Sequence, residues 1–80
     1  MPQASDELRK KMQNYFGGNG IDDGCVTEYL EARGFTLTKD WLWNLPDNWT
    51  EADLTEQDWD CITFLVHEWD FGGLAVWEQK

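Results

Sequence analysis

Apolar residues recur along this chain with two different periods, and the switches between them mark out its elements. Leu8, Met12, Tyr15 and Phe16 fall at i, i+4, i+7 and i+8, the spacing of one helix face. The spacing predicts a first helix from about Asp6 to Phe16. Ser5 stands where an N-cap belongs, and Asp6 and Glu7 suit the positive end of a helix. Gly17-Gly18-Asn19-Gly20 ends it as a turn or hinge. A second helix follows from about Asp23 to Arg33, capped by Asp22 or Asp23, with Val26, Tyr29 and Leu30 facing inward. Gly34 stops it and, as the first residue past the cap, lets Phe35 fold back on Leu30 in a Schellman ending.

From Phe35 to Leu45 the residues are β-formers with a polar break, which predicts a hairpin. Its loop length decides where two tryptophans go. A two-residue Lys39-Asp40 turn pairs Thr38 with Trp41 and Thr36 with Trp43, leaving both indoles opposite Phe35, Leu37 and Leu42 as an exposed ridge. A three-residue loop pairs Leu37 with Trp41 and Phe35 with Trp43, so that all four share one apolar face. Lys-Asp suits a type I′ turn poorly, and the three-residue loop makes the whole run alternate, so we favour it.

Pro46 ends the hairpin, and Asp47 to Leu54 is an acidic connector with one helical turn expected after Thr50. Thr55 and Asp58 then form a capping-box pair, with Asp in place of the usual Glu, and Leu54 is placed to staple onto Trp59. The third helix should run to Trp69 or Asp70, before Gly72-Gly73. At about 100° per residue, Trp59, Cys61, Ile62, Leu65, Val66 and Trp69 fall within one arc of about 160°, the core face. Phe64 points nearly opposite and needs its own cover. The candidates are the Leu8/Met12/Tyr15/Phe16 face, the 74–77 tail, which is itself a short added strand or a docked segment, or a second copy of the chain.

These elements define a small α+β domain in the order α-α-β-β-α, spanning 1–80 as one unit with frayed ends at 1–5 and 78–80. Charge then changes the picture. The net charge is −10, and residues 41–80 hold nine acids against Lys80 alone, together with all six tryptophans. Such a field repels nucleic-acid phosphates and anionic membranes and favours basic partners. No apolar run approaches the 18 or so residues of a membrane span. Cys25 and Cys61 are too few for a disulfide scaffold, and free thiols in a reducing cytosol are the expectation.

Catalytic patterns are missing. His67 is the only histidine and reads as a solvated helix residue; six helical positions separate it from Cys61, about 120° around the axis. There is no CxxC, no EF-hand spacing in the acidic connector, and no phosphate loop in the glycine cluster. We therefore read a binding protein without cofactor or metal, not an enzyme: a small acidic inhibitor or adaptor that docks on a basic protein. The surface expected to carry this is Trp41, Trp43, Asp47, Trp49, Glu51, Asp53, Glu56, Asp58 and Asp60, with Phe64. Three alternatives stand beside it. One is a nucleic-acid mimic of the size and charge that bacteriophages use against host machinery. Another is an oligomer that binds a small molecule or nucleotide between aromatic walls and Arg9, Arg33 or Lys39. The last is a structural subunit packed into a symmetric homodimer or higher oligomer.

Overall fold

A computed structural model describes residues 5–18 and 21–78. It contains helix α1 (Asp6–Phe16), helix α2 (Asp23–Ala32), strands β1 (Thr36–Leu37) and β2 (Trp43–Asn44), and helix α3 (Glu56–Phe64). The expected order of helix, helix, hairpin and helix is the one observed. Fraying was expected at 1–5 and 78–80; most of those positions lie outside the described residues, as do Asn19 and Gly20 of the glycine turn. Ser5 is held, its hydroxyl accepting from the Leu8 amide.

The local signals act where the residues place them. Asp22 caps α2 by accepting from the Cys25 amide. At the other end the Phe35 amide donates to the Leu30 carbonyl and the Gly34 amide to that of Glu31, the paired bonds of a Schellman motif. Gly34 has φ +104°, and Phe35 and Leu30 are both buried. Thr50 caps a single 3-10 turn, Glu51–Asp53, and Thr55 with Asp58 forms the full capping box of α3.

The hairpin has a three-residue loop, but one position later than expected. Leu37 pairs with Trp43 and Thr36 with Asn44. The Thr38 amide donates to the Leu42 carbonyl, and the Trp41 amide donates back to the Thr38 carbonyl. The loop is thus Lys39-Asp40-Trp41, a tight turn followed by Trp41 in the left-handed region at φ +64°. Sliding the loop by one position keeps Phe35, Leu37 and Trp43 on a common face, as the alternation required. It also moves Trp41 off that face, correcting the expectation that all four side chains pack together.

On its other edge β2 meets the chain after α3. The Trp43 amide donates to the Gly73 carbonyl, the Gly72 amide donates to the Trp41 carbonyl, and Trp43 forms a parallel bridge with Leu74. The tail therefore adds a strand-like segment to β2 before a 3-10 turn, Ala75–Glu78.

The α3 helix changes form near its end. Leu65–Trp69 is a π-helical turn, closed by Asp70 in the left-handed region at φ 61°. The wider turn sets back every side chain after Leu65 relative to an α-helix. Cys61, Ile62 and Leu65 are buried as the apolar arc required, but Trp69 is 44% exposed, not part of the core. Phe64, on the opposite side, is buried, and its cover is α1: Met12 is fully buried and lines a small cavity with Phe64 and Ile21.

Candidate functional site

Three groups of side chains hold most of the acidic and aromatic residues of the second half: one internal, one tying α1 to α3 at the surface, and one around an outward groove. The first is internal. Asp58 is 0% exposed, yet it is charged. Arg33 Nε donates to its Oδ1 at 3.1 Å and Arg33 Nη2 to its Oδ2 at 2.9 Å. The Tyr29 hydroxyl donates to Oδ1 at 3.0 Å and the Thr55 amide to Oδ2 at 3.0 Å. Burial by itself would raise the Asp58 pKa; the Arg33 hydrogen bonds, the Thr55 amide, the Tyr29 hydroxyl and the Arg33 charge outweigh it and hold the carboxyl below its ordinary range. The Arg33 guanidinium also lies 5.0 Å over the Trp49 ring, and Trp49 sits edge-on to Phe35. Trp49 follows a turn with Asn48 at φ +70°, closed by its own amide on the Pro46 carbonyl.

The second group ties α1 to α3. Arg9 Nε donates to Glu68 Oε1 at 2.8 Å. Lys11 Nζ lies 3.3 Å from Glu56 Oε2 and 3.5 Å from Asp60 Oδ2. The Tyr15 hydroxyl donates to Asp60 Oδ2 at 2.6 Å, and that bond, with burial and the Asp60 charge, pushes the phenol up to about 12. Three of the five bases in the first half of the chain, Arg9, Lys11 and Arg33, thus pair with acids of the second. Cys61 is sealed beneath: burial, then the charges of Asp58 and Asp60 and the neighbouring Cys25, push its thiol up to about 12. At that value it is no nucleophile at neutral pH. Both cysteines are free thiols.

The third group is the outward face. Trp41 is 61% exposed and meets Phe71 edge-on, with ring centroids 5.7 Å apart. Trp77 is 41% exposed, stacks on Trp59 with 13° between the ring planes, and donates its indole N–H to Glu51 Oε1 at 3.1 Å. Trp41, Phe71 and Trp77 line one open groove of about 440 Å³. Leu42, Val66, Gly72 and Gly73 line it too, with the exposed acidic residues Asp40 and Asp70.

Set against the residues read from the sequence, the structure divides them. Trp41, Asp47, Glu51 and Asp53 are exposed, although Asp53 is bonded to the Thr50 amide and Glu51 to Trp77. Trp43, Asp58 and Phe64 are buried and present nothing to a partner. Trp49 is half-buried beneath Arg33, and Glu56 and Asp60 are engaged by α1. Sequence reasoning missed Phe71, Trp77, Leu42 and Val66. One signal was present: adjacent glycines after a helix allow another strand's backbone to approach closely. Asp58 also carried its own warning, since on the α3 wheel it falls between Leu65 and Ile62, in the middle of the apolar arc.

Trp41 occupies a backbone position where Gly or Asn would be at ease, and the left-handed conformation costs other residues roughly 1–2 kcal/mol. Trp41→Asn relieves that cost and loses an aromatic contact worth about 0.5–1.5 kcal/mol. The expected net change in unfolding free energy is within about 1 kcal/mol of zero by urea denaturation. A loss above about 2 kcal/mol would make Trp41 a packing residue.

The fold and its outward face define a small acidic α+β domain with an aromatic groove edged by carboxylates. No group of three or more His, Cys, Asp or Glu among the described residues could hold a metal ion, and no described helix is long and apolar enough to cross a membrane. The chain belongs to the family described as Phage Pam3 gp59 related protein, whose model matches residues 1–80. No curated protein and no solved structure matches it.

Proposed function

We propose that this phage-family protein is a binding module that docks on a basic protein through the Trp41–Phe71–Trp77 face. The observation that carries this reading is Trp41 itself: the most exposed large apolar side chain described, held at a backbone conformation that disfavours it. An observed strained residue at a surface site is a reason to suspect function. The charge supports a basic partner. Arg9, Lys11 and Arg33 are each paired with a carboxylate of the same chain, and acids outnumber bases sixteen to six, so the surface keeps the negative field of a chain with net charge −10. Aromatic anchors would supply affinity, and the surrounding acids would set rate and selectivity.

The nucleic-acid-mimic version of this function draws less support. Asp22, Asp53 and Asp58 cap helical turns, and Glu56, Asp60 and Glu68 are bonded to α1, so these six carboxylates already have roles in the fold.

Affinity capture from lysate of the infected host, with Trp41→Asn and Trp77→Ala as controls, tests the reading. A basic protein should be retained by the wild type and lost with either variant, and its affinity should fall at least about tenfold between 50 and 500 mM salt. Binding that ignores salt, or that survives both substitutions, would overturn it.

A further inference from the structure

The groove has the composition of a site for one particular side chain. Trp41, Phe71 and Trp77 offer flat π surfaces, and the exposed acids Asp40 and Asp70 are among the residues that line the same groove. Among the described residues no Lys or Arg lines it. The chain already solves this recognition problem once, internally: the Arg33 guanidinium lies 5.0 Å over the Trp49 ring while its N–H groups grip the Asp58 carboxylate. An indole face with a carboxylate beside it is what a planar cation prefers, because ring quadrupole and charge act on the same group. We propose that the groove receives an arginine side chain of the partner, stacked on the exposed indoles and held by Asp40 or Asp70. This deepens the docking role proposed above and rests on it. Arginine is favoured over lysine because the walls are flat rings and a guanidinium is a flat, weakly hydrated cation, whereas an ammonium is compact and strongly hydrated. It is favoured over an apolar side chain because the groove carries two exposed carboxylates, whose charge an apolar occupant would desolvate without return.

The probe is the blocked peptide acetyl-Gly-Arg-Gly-amide, titrated into the full-length protein labelled with nitrogen-15 and followed by NMR. Saturable shifts are expected at the Trp41 and Trp77 indole N–H signals and the Gly72 and Gly73 amides. The citrulline peptide, equal in shape but uncharged, should produce none. Replacing Asp40 and Asp70 together by Asn should weaken the arginine peptide by about threefold to tenfold, the scale of an exposed charged contact. Trp41→Asn, a change its backbone position favours, should weaken it at least as much while leaving the other amide signals dispersed. Saturable shifts centred elsewhere, such as near Asp47, would overturn the groove assignment and leave the basic-partner reading standing. Equal response to citrulline, or no saturation with arginine, would overturn the inference as well. The affinity capture above judges the docking role separately.

Discussion

Asp58→Ala is expected to lower the unfolding free energy by about 3–5 kcal/mol, the usual cost of breaking a buried charge pair by removing one member. The variant would strand Arg33, leave the Tyr29 hydroxyl and the Thr55 amide without their acceptor, and delete half of the α3 capping box. An 80-residue domain has roughly 4–12 kcal/mol in total at about 0.05–0.15 kcal/mol per residue, so this one change should remove at least about a quarter of its stability. Arg33→Ala should sit near the low end of that range, about 3 kcal/mol, because the Arg33 side chain keeps a third of its exposure to water. The pH dependence has a definite sign. The folded Asp58 pKa lies below its ordinary value of 3.8, so the folded state favours the carboxylate. Its contribution is complete above that ordinary value and is lost as pH falls through the lowered folded one. Urea denaturation across the acid range should show stability falling with acid in the wild type and a shallower fall in Asp58→Asn. Equal slopes would mean that Asp58 is not the linked group.

Gly72→Ala is expected to cost about 2–4 kcal/mol from two sources, overpacking and backbone conformation. Gly72 sits at φ +90°, where a side chain is strained whatever the space. A Cβ there would also lie 3.0 Å from Trp43 Nε1 and 3.2 Å from Leu65 Cβ, both belonging to fully buried side chains that have no room to yield. Among the described residues Trp43 Nε1 has no hydrogen-bond acceptor. It is packed against Gly72, and that close approach is what lets the segment after α3 reach β2. Trp43→Phe removes the crowded nitrogen and an unpaired buried donor together. In that background Gly72→Ala should cost at least about 1 kcal/mol less than in the wild type, a coupling readable in a double-mutant cycle. Additive costs would show that backbone conformation alone makes glycine necessary at this position.

Much of this architecture is legible in the residues because its causes are local. The ends of α1 and α2, the Schellman link from Leu30 to Phe35, and the Thr55/Asp58 capping box each depend on neighbours within a few positions. The candidate site was legible only in part. Trp41 stands out in the sequence as an aromatic beside a polar turn, yet its exposure follows from a one-position slide of the hairpin loop. The Thr38 hydroxyl closes the slid loop by accepting from the Asp40 and Leu42 amides, and Gly72 and Gly73, some 30 positions away, pair with the chain beside it. Trp69 looks like a core residue on an α-helical wheel and ceases to be one because the helix widens at Leu65. Asp58 looked like one more surface acid, although the wheel placed it among apolar residues. What made its burial acceptable was Arg33, supplied by a different helix.

By itself the sequence determined the order of elements, their caps, and the surplus of acid and tryptophan in the second half, since propensity, capping and periodicity act between near neighbours and charge needs no fold to be counted. Only the tertiary structure decided which acids and tryptophans reach the surface. Long-range pairing sets Arg9, Lys11 and Arg33 against carboxylates distant in the chain, buries Trp43 against Gly72, and leaves Trp41, Phe71 and Trp77 around one groove. Such choices depend on which distant side chain satisfies a buried charge or fills a space, and no local pattern carries that information.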